Sequence, residues 1–283
     1  MKPNLTVCKS NALIEASYRL TVAEQTVILC CIAQIKKHER VTDQVMYEVP
    51  VIEYAQLTGT TMKSAYRTIK EAVTRLKKRD VYIHLSPDCK GKPCSGKKKI
   101  RQKILNTGWV QSILYCEKEG TVELRFNYDI IPYLSNLKGC FTKYKLNNVA
   151  KMNSSYGIRL YELLIQWGSI GKREISIECL KEKFDIGSKY KKTSEFKRNV
   201  LLPAVEDINK FSDFEVEWDQ RKTRREVTHL IFTFKLKDNI KKISKKSKLV
   251  EKIESSFTLP EADGVPPSEE IKKQLAEIVE GMT

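Results

Sequence analysis

Residues 194–236 read SEFKRNVLLPAVEDINKFSDFEVEWDQRKTRREVTHLIFTFKL. Residues 194–209 predict a helix, because apolar side chains recur along them at a spacing that keeps one face inward: Phe196, Val200, Ala204 and Ile208. Pro203 lies inside this helix and should kink it or leave a backbone carbonyl unpaired. Residues 214–218 and 226–236 predict two strands joined by a basic turn at 221–225. The stretch therefore predicts a helix followed by a β-hairpin.

The preceding residues complete a helix–turn–helix. Residues 154–167 predict a helix with one apolar side, and 173–177 predict a short strand or entry segment. Ser176 is placed to cap a second helix over 177–184, and the turn falls at Asp185-Ile186-Gly187. Three helices and a hairpin are the winged-helix arrangement.

The first half of the chain shows the same order without close sequence identity. Thr21 and Glu24 have the spacing of a capping box ahead of a core-facing helix. Residues 51–57 predict a second helix that stops near Gly59, and 61–78 predict a third. Strand patterns follow at 81–85, 109–117 and 121–126.

These patterns predict an α+β protein made of two tandem winged-helix domains with a flexible C-terminal tail. We place the first domain at 1–138, the second at 139–237 and the tail at 238–283. The tail is rich in lysine, carries a proline-containing linker at 254–267, and predicts a short last helix capped by Ser268.

Charge indicates the class of partner. The chain has 51 Lys and Arg against 35 Asp and Glu, a net charge of +16. Residues 237–283 hold nine lysines and nine acids, so the whole excess lies in 1–236. A folded region this basic favours a polyanion such as nucleic acid, and the absence of a basic amphipathic helix disfavours a membrane surface. No apolar run could span a bilayer or serve as a signal peptide, which predicts a cytoplasmic protein.

Double-stranded DNA would be read by the third helix of each domain and by the wing. In the second domain the candidates are Lys191, Lys192, Ser194, Lys197, Arg198 and Asn199 on the helix, with Arg221, Lys222, Arg224 and Arg225 on the wing. In the first domain, where the pattern also fits an ordinary amphipathic helix, they are Lys63, Ser64, Arg67 and Lys70.

Catalysis is not indicated, and we expect no cofactor and no metal. Residues 91–97 match the glycine and lysine spacing of a P-loop, but Lys98 stands where a Ser or Thr should hold magnesium. The three histidines are not paired at ligand spacing, and no second cysteine or histidine pair completes a zinc set with Cys89 and Cys94. The eight cysteines are therefore expected to be reduced thiols, mostly packing groups.

Three stretches in order resemble the iteron-binding plasmid replication initiators, the RepE/RepA-like family. They are residues 9–16 (KSNALIEA) with Leu20-Thr21 and Glu24-Gln25, residues 141–144 (FTKY) with 155–164 (SYGIRLYELL), and residues 196–201 (FKRNVL) with Pro203-Ala204 and Ile208-Asn209. The resemblance extends over about residues 5–236.

This resemblance implies functions that the residue patterns alone do not indicate. Such proteins bind direct repeats at a plasmid origin as monomers, and the second domain supplies most base readout. Their first domain also mediates dimerisation, dimers often repress the initiator's own gene, and bound monomers recruit host DnaA and the replicative helicase. Carried over, Lys197, Arg198 and Asn199 become the leading readout residues, and Arg224 and Arg225 the wing contacts.

The chain departs from the family pattern in three places. Thr223 stands where the wing often has glycine, Gly157 replaces a more usual serine, and the basic loop 90–103 is longer than a minimal connection. Two other functions stay open at this point. A winged-helix transcriptional regulator would recognise a palindrome as a dimer, and an enzyme would bind ATP at the P-loop-like stretch.

Overall fold

The computed structural model describes residues 5–35, 41–85, 103–116, 119–137 and 139–237, which lie in one compact unit ending at Lys237. Within these ranges no helix is long and apolar enough to cross a membrane. The tail and most of the basic loop, including the P-loop-like stretch, fall outside them. The helices are α1 (Asn11–Ile14), α2 (Val22–Ile32), α3 (Val51–Thr58), α4 (Met62–Leu76), α5 (Ser155–Ile165), α6 (Ile177–Lys183), α7 (Thr193–Phe196) and α8 (Leu202–Phe211). The strands are β1 (Thr6–Ser10), β2 (Tyr47–Pro50), β3 (Asp80–His84), β4 (Ile104–Gly108), β5 (Val110–Cys116), β6 (Thr121–Phe126), β7 (Phe141–Lys145), β8 (Lys172–Ser176), β9 (Phe214–Thr223) and β10 (Glu226–Leu236).

The helices of the first domain begin and end near the predicted residues. The hydroxyl of Thr21 accepts the N–H of Glu24 at 3.3 Å, and the Glu24 carboxylate accepts the N–H of Thr21 at 2.8 Å, which confirms the capping box. α3 ends at Gly59, whose φ of 71° is the left-handed conformation that glycine adopts at no cost. Thr61 then caps α4 by accepting the N–H of Ser64.

Glu24 also fixes α4 against α2. Its buried carboxylate accepts a bond from Arg75 Nε at 3.0 Å and another from Arg79 Nε at 3.2 Å. Arg75 lies in the last turn of α4 and Arg79 lies three residues after its end, so the far end of that helix is anchored while its first turns stay accessible.

Both domains contain the same three-stranded antiparallel sheet. In the first domain the strand before the helix–turn–helix pairs with the second strand of the wing, giving the order β2-β6-β5. The second domain repeats this as β8-β10-β9. This shared topology confirms the predicted repeat, although the two sequences are not closely alike.

The first domain holds one hairpin that the sequence did not predict. The strand expected over 81–85 does not join the wing; it appears as β3 and pairs with β4, a strand in residues expected to be part of a connection. The sequence of β4, ILNTG, lacks the apolar–polar alternation that marks a strand, and it includes Asn106 and Gly108, residue types that are depleted in strands. Residues 86–102 between these strands are outside the described ranges.

The helix that follows the turn in the second domain is continuous from Thr193 to Phe211, but its middle is a π-helical segment, Lys197–Leu201. Pro203 has no N–H to donate to the carbonyl four residues earlier. The structure resolves this by widening the turn ahead of the proline, where the N–H of Leu202 donates to the carbonyl of Lys197, five residues back. We call the whole run Thr193 to Phe211 the reading helix.

The spacing of apolar residues gives a second reason for the wide turn. Residues four apart drift by about 40° around an α-helix with 3.6 residues per turn. A wider turn removes part of that drift, and Phe196, Val200, Ala204 and Ile208 are all 0% exposed. The reading helix packs closely on α5 at Gly157, where an added Cβ would lie 3.3 Å from Asp207 Cβ. A side chain larger than hydrogen therefore has little room there.

Candidate nucleic-acid interface

The first turns of the reading helix present an exposed basic surface. Lys191, Lys192, Ser194, Arg198 and Asn199 are all exposed. Lys192 is the residue at the N-cap, where no side chain satisfies the free backbone N–H groups of the first turn. These N–H groups and the neighbouring ammonium groups suit a phosphate, and the Arg198 and Asn199 side chains have the paired donors that recognise base edges. Lys189 in the preceding loop is also exposed and extends this surface.

Lys197 differs from its neighbours because it faces the wing. Its ammonium group donates to Gln220 Oε1 on β9 and lies 5.6 Å from the centre of the Trp218 ring. The side chain is half-buried, whereas Arg198 and Asn199 are exposed. Lys197 thus joins the reading helix to the wing.

The wing turn is short and strained. Thr223 pairs with Glu226, leaving Arg224 and Arg225 as a two-residue loop. Arg224 has a φ of 59°, a conformation that favours glycine, whereas Thr223, which stands where the family wing often has glycine, does not have a positive φ. The hydroxyls of Thr223 and Thr228 lie 2.9 Å apart across the hairpin.

Arg221 is separated from the other wing cations. Its Nε lies 2.5 Å from a carboxylate oxygen of Glu174 on β8, on the face of the sheet where Glu217 and Asp219 are also exposed. Lys222 is the next residue along the strand, so its side chain points to the opposite face, and it is exposed. The structure therefore groups Lys222, Arg224 and Arg225 at the end of the wing and places Arg221 in an ion pair.

In the first domain, α4 carries Lys63, Arg67 and Lys70 at helical spacing on its open side, all exposed, with Ser64 half-buried beside them. A shallow groove follows this side of α4; its lining residues are Tyr66, Arg67, Lys70, Glu71, Thr74 and Arg75.

A contact between two hydroxyls joins α4 to β5 beside this groove. Thr74 Oγ1 and Tyr115 Oη are 3.1 Å apart, and the Lys70 ammonium group lies 5.9 Å from the centres of both the Tyr66 and the Tyr115 rings. Sequence reasoning did not select Thr74 or Tyr115. They lie 41 positions apart in the chain, and only the pairing of the wing with α4 brings them together.

The other groups considered from sequence do not form a reactive centre in the part of the chain that the structure describes. His84 lies 3.5 Å from Glu182, and His229 Nδ1 lies 2.9 Å from the hydroxyl of Thr228. No three His, Cys, Asp or Glu side chains in the described ranges form a group suited to a metal ion. The six cysteines within those ranges are free thiols.

Comparison with known proteins identifies the family. A family profile described as "Initiator Replication protein, WH1" matches residues 6–165, and one described as "Initiator Rep protein, WH2" matches residues 176–234. Among curated proteins, a replication initiation protein of Escherichia coli is 29% identical over 241 residues, covering 82% of this chain and 70% of that protein. The PI protein of Escherichia coli is 28% identical over 251 residues, covering 79% of this chain and 80% of that protein.

A solved structure shows the same architecture. The crystal structure of the Pi initiator protein in complex with iteron DNA superposes with a TM-score of 0.67 at 22% identity, covering 84% of this chain and all of that chain. The two profiles match the two winged-helix domains in order and together take in most of the described residues. The chain belongs to the initiator replication protein family and has its two winged-helix domains.

Proposed function

We propose that this protein binds double-stranded DNA at the direct repeats, or iterons, of a plasmid origin and thereby initiates plasmid replication. One observation carries the proposal: each of two winged-helix domains of this family presents an exposed basic face on the helix that follows its helix–turn–helix turn. The Pi initiator, whose fold this chain shares, was crystallised with iteron DNA. The chain acts by binding, in the cytoplasm where the plasmid resides, and the function requires no cofactor.

The two domains divide the work. In the second domain, Arg198 and Asn199 read base edges, while Lys191, Lys192, Ser194, Lys222, Arg224 and Arg225 contact the backbone. Lys197 braces the wing against the reading helix, and Arg221 joins the backbone contacts by exchanging Glu174 for a phosphate. In the first domain, Lys63, Arg67 and Lys70 contact phosphates and, together with Ser64, the edges of a smaller number of bases.

Self-association and host partners are further parts of this proposal. We place dimerisation in the first domain, at residues 1–138, and most base readout in 139–237. β5 is an edge strand of its sheet and carries Leu114 with 52% of its surface exposed, features that suit strand-to-strand association. Dimers repress the initiator's own gene, whereas bound monomers engage host DnaA and the replicative helicase.

The test is a selection of binding sites from random duplex DNA with the full chain, carried out at two salt concentrations. A monomer with two different domains should enrich an asymmetric site of roughly 20 base pairs, with two contacted blocks about one helical turn apart. A palindrome would contradict monomer binding and favour a dimeric regulator. A failure to enrich any sequence, with affinity that collapses as salt rises, would leave only non-specific binding.

A further inference from the structure

The N-terminal residues 6–18, which we call the strap, are bonded to both domains. Ser17 exchanges two backbone hydrogen bonds with Tyr82 of β3, each 2.9 Å, and the Tyr18 ring packs edge-on against Trp109 at 4.9 Å. On its other side, the N–H of Tyr18 donates to the carbonyl of Lys183, the last residue of α6, at 3.4 Å. The strap, itself part of the first domain, thus connects β3 and Trp109 of that domain to the helix–turn–helix of the second domain.

Glu162 on α5 is the first anchor of the strap. Its fully buried carboxylate accepts a bond from Lys9 Nζ at 2.6 Å, from Tyr144 Oη at 2.5 Å and from Tyr18 Oη at 3.3 Å. Lys9 belongs to β1 and Tyr144 to its partner strand β7. One carboxylate therefore ties both strands of this two-stranded sheet, and the end of the strap, to the first helix of the second domain.

Arg159, one turn before Glu162, fixes the backbone of the strap. Its guanidinium donates to the carbonyls of Ile14 at 3.1 Å and Ala16 at 2.8 Å, and to Glu162 at 3.0 Å. Arg159 is 2% exposed, so these bonds are shielded from water.

Glu15 is the second anchor of the strap and is partly exposed to solvent. Its carboxylate binds Arg173 of β8 at 2.6 Å and Lys183 of α6 at 2.6 Å, and Lys183 also donates to the Glu15 carbonyl at 3.1 Å. The side chain keeps 29% of its surface exposed. Glu15 therefore connects the C-terminal part of the strap to the two elements that precede the reading helix, β8 and α6.

The surroundings of both carboxylates favour their charged forms. Burial raises the pKa of Glu162, but the neighbouring Lys9 and Arg159 outweigh it and leave the pKa below its ordinary value. The pKa of Glu15 is likewise lowered, because Lys183 and Arg173 outweigh its burial. Buried charges contribute little net stability compared with apolar contacts of the same size. Unlike apolar contacts, however, they are directional and fail when the partners slide, so they specify one arrangement.

We propose that Glu15 and Glu162 are positioning residues for DNA recognition, which fix the strap to the second domain and so hold α4 and the reading helix at one separation and angle. The inference rests on the proposed function, because it requires a site that both domains contact at once. Two linked binding modules gain affinity only when both can reach their sites together. A rigid junction makes that gain depend strictly on the spacing within the DNA.

The experiment compares three duplexes with the full chain: the site enriched by selection, the same site with about five base pairs inserted between its two contacted blocks, and a duplex that keeps only the block bound by the second domain. The variant is Glu15→Lys, which repels Arg173 and Lys183. The matched control is Glu215→Lys, the same change in charge at an exposed ion pair with Lys235 (3.1 Å) inside the β9–β10 hairpin.

We expect the insertion to weaken binding of the wild type and of Glu215→Lys by about a hundredfold or more, and that of Glu15→Lys by less than about tenfold. All three proteins should bind the single block equally. Adding Lys183→Glu to Glu15→Lys restores the ion pair with reversed signs and should restore the spacing penalty.

The same spacing penalty in Glu15→Lys and wild type would overturn the inference, and so would a loss of single-block binding, since the second domain itself would then be damaged. Glu162→Gln should behave like Glu15→Lys. If circular dichroism shows that Glu162→Gln does not fold, Glu15→Lys alone decides the question, because the Glu15 side chain is partly exposed. A wild type that selects no two-block site would instead contradict the proposed function.

Discussion

Arg198 lies on the exposed side of the reading helix, next to the inward-facing Lys197, and its five donors are not engaged by any contact that the described structure gives it. A guanidinium in this position can form a bidentate contact with a guanine edge. We therefore expect Arg198→Ala to cost about 1–3 kcal/mol of binding free energy and to relax specificity at one base pair.

Selection and titration of every single-base variant of the site would measure this effect. Lys210→Ala is the matched control, since Lys210 is an exposed cation at the far end of the same helix. Equal weakening of Arg198→Ala on all sequences would mean that Arg198 contacts phosphate only.

Arg224 shows how a single residue at the site can oppose stability. Its φ of 59° costs an L-residue about 1–2 kcal/mol relative to glycine. Arg224→Gly should raise the free energy of unfolding by about 0.5–1 kcal/mol, part of the gain being lost to the greater freedom of glycine in the unfolded chain. The same variant should bind duplex DNA more weakly, because one wing cation is gone.

Urea denaturation and DNA titration of the same preparations would test the two effects together. Arg225→Gly removes the same charge at a residue with negative φ, so it should weaken binding without stabilising the fold. Were Arg224→Gly to leave the midpoint of unfolding unchanged, the strain at the turn would be refuted.

At the scale of elements, local signals were sufficient wherever they act over a few residues. The capping box at Thr21 and Glu24, the Ser176 cap and the left-handed Gly59 were all predictable, and they fix where helices begin and end. The sequence predicted that Pro203 would distort the helix, but the kind of distortion, a π-helical segment, depends on how the four buried side chains Phe196, Val200, Ala204 and Ile208 pack in the core. Pairing between strands that are far apart in the chain was harder to predict from sequence. β4 shows why, because its sequence has no apolar–polar alternation of its own.

The same distinction applies to the candidate site. Basic residues at helical spacing mark α4 and the reading helix directly. Three contacts in the site join residues that are far apart in the chain. Lys197 faces the wing through a residue 23 positions away, Arg221 pairs with a residue 47 positions away, and Tyr115 approaches Thr74, 41 positions away. No local pattern encodes these contacts, so sequence reasoning grouped residues that the fold separates.

The turn that enters β8 is a second element whose geometry allows a prediction. Gly171 has a φ of 71°, and a Cβ there would lie 2.9 Å from the carbonyl oxygen of Phe234 on β10. Gly171→Ala must therefore both adopt an unfavourable conformation and displace a strand backbone. We expect it to lower the free energy of unfolding by about 3 kcal/mol.

Gly187→Ala separates these two causes. Gly187 has a φ of 61° with nothing within 4 Å of an added Cβ, so its substitution should cost only the conformational part, about 1–2 kcal/mol. Chemical denaturation of both variants supplies the comparison. Equal losses would mean that β10 yields without cost at Phe234.

At the scale of the whole molecule, the two domains share one topology but differ in what their helices offer to DNA. The reading helix combines phosphate-binding cations with the base-reading groups of Arg198 and Asn199, whereas α4 presents mainly cations and hydroxyls. The first domain should therefore contribute mostly phosphate contacts and only a few base contacts, and the second should determine most of the sequence that is bound.

This division predicts how affinity depends on salt. Each phosphate contact contributes about 0.9 to the slope of log K against log salt concentration. The double variant Lys63→Ala/Arg67→Ala should reduce the magnitude of that slope by about 2 on the full site, while the bases selected by the second domain stay the same. Lys77→Ala/Lys78→Ala, which removes two exposed cations from the opposite end of the α4 region, should leave the slope unchanged.

Titrations between 50 and 200 mM salt, a range over which phosphate contacts change affinity by orders of magnitude, resolve a difference of this size. A slope that stays at the wild-type value with Lys63→Ala/Arg67→Ala would show that these two cations do not contact phosphates, and this division between the two domains would then be wrong.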